Sequence, residues 1–382
     1  MDYLTSPRKI PNNQAIMANK YDLFTFFGKL WEVAADYCKF DKTKIMPVLV
    51  ECPDESQRLK TLYCIATFGM FPFAGGKLGA ELDTCAIGPA SHHAENLVYI
   101  MGSHTGYDSI NKKWGSIYRE KEGDYSTCCG KLAGILGPYL DKYEDAKRSI
   151  KYFIDEGRVL LKIPNRFLEI RNSCESDTVE LRLKSSLIKD SLESEAIITA
   201  ESPGCVIFEI HPDLQLALED KNRKITHDPT PIGDDLNSNY LKFHIISSDQ
   251  FSDGISERLY PLMHQIVASL DYPPIVTIAN VNTWIEFNRF VDAIHAIPDV
   301  LNKGIFAISG LTVDLYLEKE SSYSNIYYPQ YAFFKPSEEK EGIVMGTSEA
   351  NNLLNIYAPI KDMLSLDRII EKDKGVIKKI GL

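Results

Sequence analysis

The sequence has no apolar run that approaches the roughly 18–20 residues a membrane-spanning helix needs. No membrane partner is therefore expected. It also has no excess of positive charge. The 42 Lys and Arg stand against 53 Asp and Glu, for a net charge of −11. Binding to a phosphate backbone needs a basic surface, so nucleic acid is not an expected partner. The opening residues, MDYLTSPRKIPNNQ, lack the apolar centre of a secretory leader, and a cytoplasmic location is expected. A Walker loop, a G-x-G-x-x-G, an H-E-x-x-H and a G-x-S-x-G are all missing. The usual sequence cues for phosphate loops, dinucleotide folds, zinc peptidases and serine hydrolases are thus absent.

What is there is cysteine, unevenly placed. Cys38, Cys52, Cys64, Cys85, Cys128 and Cys129 all precede residue 130, as do His92, His93 and His104. The rest of the chain holds only Cys174 and Cys205. In a reducing compartment such residues are thiols or metal ligands rather than disulfides. A metal site, if present, belongs to the first third.

The pattern of elements alternates. Apolar residues at helical spacing predict a helix over 21–40, a short buried strand over 44–52, and a helix over 54–70 with Asp54 and Glu55 at its positive end. The Gly-rich stretch 71–81 reads as a loop and 95–103 as a strong strand. One or two helices interrupted near Gly137-Pro138 are expected over 126–157, and residues 172–196 are polar. Beyond them, strands are expected at 204–210, 240–247 and PPIVTIANV. Helices are expected at 256–270 and EFNRFVDAIHAIPDVL, a strand pair at GIFAISGLTVDLYLE and an aromatic strand at NIYYPQYAFFK. The class is α/β, with a mostly parallel sheet flanked by helices. The organisation reads as a loose lead-in over 1–20, a core over 21–200, and a C-terminal α/β portion over 201–382 that completes or extends the fold.

Three residues share a position in this pattern. Cys52 ends one predicted strand, His104 ends another, and Cys129 opens a predicted helix. In an open α/β sheet the carboxyl ends of strands line a single crevice, so residues 52 and 25 apart in sequence can converge. Two Cys and one His form a zinc set that leaves a fourth position for water, the arrangement of catalytic sites. A helix N-terminus favours thiolate at Cys129, and Gly102 and Gly106 clear space around His104. Asp54, two residues after Cys52, is placed to accept a proton beside the metal, and Arg58 lies at helical spacing from it. Each residue also has a plainer reading. A strand-end Cys is commonly a small buried hydrophobe, a lone His a hydrogen-bonded structural residue, and Cys128-Cys129 a packed pair. His92 and His93 read equally as ligands, supporting groups or surface. A metal-free cysteine hydrolase built on Cys129 or Cys52 with His104 is a further alternative.

The ordered motifs PFAGGKLGAE, ASHHAENLVYIMGSHTGYD and STCCGKLAG resemble the limiting-CO2-inducible protein B/C family, the theta-type, β-carbonic-anhydrase-like group. The resemblance covers about residues 21–160. It implies a β-carbonic-anhydrase-like α/β fold that tends to form homodimers, with Zn2+ held by Cys52, His104 and Cys129 and with Asp54 beside the bound water. It implies reversible hydration of CO2 to bicarbonate by zinc-bound hydroxide. The related motif reads Cys-x-Asp-x-Arg, in which Arg pairs with Asp and keeps it off the metal. Here that position is Ser56, and the nearest arginine is Arg58. By the same resemblance, a chain in which Asp54 closes the metal would be a non-catalytic, bicarbonate-sensing or scaffold subunit.

Overall fold

The protein is described here from a computed structural model. The described residues are 10–119, 123–167, 178–183, 198–202, 204–210, 215–216, 225–236, 241–246, 253–317 and 322–359. The polar stretch 172–196 lies largely outside them. The chain divides into two compact units, one formed by Met1–Ala133 with Asp271–Leu382, the other by Gly134–Leu270.

The first unit is a three-layer α/β/α arrangement. In chain order its principal elements are α1 (Leu23–Glu32), β1 (Ile45–Val50), α2 (Arg58–Phe68), β2 (Asn96–Met101), β3 (His104–Asp108), β4 (Ser116–Arg119) and β5 (Asp124–Thr127). After these come the start of α3 (Gly130–Ser149), then α4 (Pro274–Ala296), β6 (Gly304–Leu317), β7 (Ser322–Lys335) and α5 (Thr347–Ile356). The central strands β6, β2 and β1 are parallel, with Phe73–Ala74 continuing beyond β1; β7 joins β6 antiparallel.

Alternation in β2 explains the layering. Val98 and Ile100 face a core made with Phe26, Phe27 and Leu30 of α1 and Leu354 of α5. Leu97, Tyr99 and Met101 face the opposite core, made with Phe287, Phe290 and Ile294 of α4. A strand buried on both faces is continuously apolar, as parallel central strands are.

Two predicted boundaries differ from the observed ones around the site. His104 begins β3 instead of ending β2. Gly102, at φ +141°, breaks the strand, and an added Cβ there would lie 1.6 Å from the carbonyl oxygen of Gly310. Only glycine allows that approach. The predicted strand pair GIFAISGLTVDLYLE is, over Gly304–Leu317, one strand, β6, bent by a bulge at Ser309/Gly310 opposite this break. Its first half pairs with β2, and its second half pairs with β3, placing Thr312 opposite His104 and Asp314 opposite Gly106.

PPIVTIANV, expected as a strand, is instead the start of α4. Its β-branched run shows no helical period because residues 276–283 are buried all round, and such short apolar segments read alike in both forms. The stretch 126–157 holds one helix, α3 (Gly130–Ser149), with Pro138 inside it; its first two residues end β5, and Lys151–Asp155 form a strand.

The second unit, described by itself, is antiparallel. Its five-stranded sheet runs Ile198–Ser202, Cys205–Glu209, Arg158–Pro164, Lys151–Asp155 and Thr230–Pro231. Thr178–Leu183 pairs separately with Leu241–Ile246. The parallel order predicted for the chain therefore belongs to the first unit.

Candidate metal centre

The three residues singled out by their positions meet. One ligand atom each from Cys52, His104 and Cys129 lies within 4.8 Å of the others, and all three side chains are buried. Cys52 follows β1, His104 opens β3, and Cys129 immediately precedes α3. The three lie at the ends of separate elements around one point, where parallel sheets bind ligands.

Each side chain is anchored. The Cys52 sulfur accepts from the backbone N–H of Gly79 at 3.3 Å. Asn282 of α4 donates to the carbonyl of Gly79 and to Oγ of Ser103, 2.9 Å in each case, tying that loop to the residue before His104. Thr283 accepts from the Ser103 N–H at 3.0 Å. Gly106 packs against Cys128, the residue that follows β5: its N–H donates to the Cys128 carbonyl at 3.0 Å, and an added Cβ would lie 2.6 Å from the carbonyl oxygen of Ser116.

The electrostatics divide the two adjacent cysteines. Cys129 lies 3.9 Å from Cys52, sulfur to sulfur, and donates to it. That contact pulls the Cys52 thiol down to about 4, against burial, with His104 adding to the fall. The same contact and burial push Cys129 up. The contact therefore drives the two thiols in opposite directions. Cys128 points the other way, donating to Asp314 Oδ2 at 3.2 Å. Burial pushes it up to about 12, and the Asp314 charge adds to this. Cys128 is therefore a thiol donor, and Cys129 is the cysteine that faces Cys52.

Asp314 was not visible from sequence spacing. It is 1% exposed and lies at the centre of a buried network. His104 Nδ1 is 2.7 Å from its Oδ2, which also accepts from Ser56 Oγ at 2.8 Å. Gln57 donates to both carboxylate oxygens, at 2.8 and 3.0 Å, and Asn325 donates to Oδ1. Burial alone would lower the His104 pKa, but the Asp314 charge and hydrogen bond override it and hold the ring well above its ordinary value. A carboxylate at Nδ1 fixes that nitrogen as the donor. The other nitrogen, Nε2, is buried without a hydrogen-bond partner among the described residues. A buried, unpartnered imidazole nitrogen beside two sulfurs, with its opposite nitrogen held by a carboxylate, fits a soft divalent metal such as zinc.

Asp54 and Arg58 lie on the Cys52 side of the trio. Both line a cavity of about 280 Å³ together with Cys52, Glu55 and Gln57. Burial tends to raise the Asp54 carboxyl, but the Ser56 N–H, His104 and Arg119 outweigh it and lower the value. Arg58 is exposed at the first residue of α2. The arginine that reaches Asp54 is Arg119 of β4, at 3.4 Å. His92 and His93 are exposed and lie outside the trio; His92 is 3.7 Å from Asp299 and His93 packs near Phe73. A second group, His104, Cys128 and Asp314, also meets the distance requirement for a metal. Its atoms are already engaged with one another.

Fold and trio together define an α/β/α protein with a buried Cys2His cluster. No family model and no curated protein matches the chain. Solved structures do. PtLCIB4, a homologue of the limiting CO2-inducible protein LCIB, superposes with TM-score 0.50 at 12% identity, over 88% of this chain and 99% of that one. A mutant of the same protein gives TM-score 0.50 at 11% identity, over 86% and 95%. At this identity the likeness is one of fold, and it agrees with the motif resemblance to the limiting-CO2-inducible protein B/C family. Among the described residues, no helix is long and apolar enough to cross a membrane.

Proposed function

We propose that this chain is a zinc-dependent carbonic anhydrase that hydrates CO2 reversibly to bicarbonate. The observation that carries the reading is the buried Cys52–His104–Cys129 trio, whose Nε2 has no other partner among the described residues. These three residues would hold the metal. Zinc bound by three protein ligands supplies a Lewis acid that activates water near neutral pH. The chain's own groups do the rest. Asp54, two residues from Cys52, accepts a hydrogen bond from the reacting water and orients it. The cavity of about 280 Å³ beside Cys52 is large enough for CO2. Arg58, exposed at its rim, attracts the bicarbonate anion. Asp314 keeps the imidazole in one tautomer.

Ser56 favours a second reading, because it stands where the resembled motif has arginine. In that reading the chain binds zinc without turnover and acts as a bicarbonate-sensing or scaffold subunit. A cytoplasmic homodimer is part of the proposal in either form, and light scattering on purified protein measures the oligomeric state.

Stopped-flow CO2 hydration by zinc-loaded protein tests the activity. The enzymatic reading requires a rate well above that of Cys52→Ala. Equal rates with full zinc occupancy of the wild type would leave the second reading in place.

A further inference from the structure

We propose that Arg119 is the positioning residue that holds Asp54 away from the metal position; this rests on the zinc reading above. Asp54 is an anion two residues from a candidate ligand and is only partly exposed, at 16% of its side chain. Beside a bound cation, such a carboxylate moves to the open coordination position unless it is held.

The structure holds it from two sides. Its Oδ1 accepts the Ser56 N–H at 3.0 Å, and its Oδ2 faces the Arg119 guanidinium at 3.4 Å. The guanidinium is itself fixed. It forms an ion pair with Glu55 and donates to Oγ of Ser126 on the neighbouring strand β5. A planar guanidinium held at several points is a rigid fork and not a freely moving charge.

The two residues nearest in sequence do not take this role. The Ser56 hydroxyl is committed to Asp314. Arg58 is exposed, and no contact of it with Asp54 is seen among the described residues. The counter-charge comes from 65 residues away, on a hairpin whose second strand leads into Cys128-Cys129. The same hairpin thus delivers a candidate ligand and the group that restrains Asp54.

The test uses the full chain loaded with cobalt(II), whose visible absorption reports coordination, titrated with thiocyanate. The wild-type spectrum is expected to respond, because the fourth position exchanges. Arg119→Gln is expected to weaken the response at least tenfold, because Asp54 occupies that position. Arg119→Lys should retain most of it. Adding Asp54→Asn to Arg119→Gln should restore it, which a merely structural role for Arg119 would not do. The proposal is overturned if Arg119→Gln responds like wild type, if the double variant stays unresponsive, or if cobalt-loaded wild type ignores thiocyanate. Wild type that takes up no cobalt overturns the metal reading itself, a different result from cobalt-loaded variants that behave alike. If Arg119→Gln does not fold, the Asp54→Asn single variant decides. It should bind thiocyanate at least as tightly as wild type, and weaker binding overturns the proposal.

Discussion

Asp314 Oδ2 lies 2.7 Å from His104 Nδ1, although the two residues are 210 positions apart in the chain. The contact follows from register. β3 and β6 are parallel, with Thr312 opposite His104, so Asp314 projects two residues further along the same face. A carboxylate on the far nitrogen orients a ligating histidine and raises its basicity. Asp314→Asn keeps the shape and removes the charge. Its zinc affinity, measured by competition with a chromophoric chelator, is expected to fall about 10–100-fold. Unchanged affinity would show that the contact does not position the ligand.

Metal binding at this trio must displace protons. In the metal-free chain the Asp314 charge raises the His104 imidazole above its usual range, and the Cys52 contact with burial pushes the Cys129 thiol up. Ligands bind metal only when deprotonated. Apparent zinc affinity should therefore rise steeply from pH 6 to pH 8, with proton release detectable in weakly buffered solution. A pH-independent affinity would exclude these ligands.

How much of this was legible in the sequence depends on the residue. Cys52, His104 and Cys129 could be placed because each sits at the end of a local element, and local patterning marks such ends. Asp314 and Arg119 could not, because their roles come from strand register and hairpin geometry over separations of 210 and 65 residues. The start of α4 was misread for a related reason: burial on every side removes the period that marks a surface helix. The two prolines before Ile275 were the available signal, since Pro is favoured at a first helical position. Ser56 read as a missing arginine in sequence. In the structure it is an occupied part of the His104 network.

Gly102→Ala tests the strand break that starts β3 at His104. An added Cβ meets the Gly310 carbonyl oxygen at 1.6 Å, in a backbone conformation at φ +141° that side chains rarely adopt. The variant should lose about 3 kcal/mol or more of stability, a size characteristic of strained backbone or overpacking. Urea unfolding measures it. A loss below about 0.5 kcal/mol, typical of surface positions, would contradict the described packing.

Thiol labelling of the native protein should separate the cysteines. Cys85 is the exposed thiol among the described residues. Cys38 and Cys64 are buried, and burial pushes both thiols up. Peptide mapping after brief alkylation at pH 8 should find Cys85 modified first among the described cysteines, and Cys38 and Cys64 modified only on unfolding. Zinc should protect Cys52 and Cys129 further, and a chelator should remove that protection.

The proposed metal ligands are Cys52, His104 and Cys129, together holding one ion. Elemental analysis of the purified chain, with Cys52→Ala and His104→Ala alongside, measures it most directly. One zinc per chain is expected in the wild type and a small fraction of that in either variant. A wild type without zinc after zinc loading, or variants that retain a full equivalent, would contradict it.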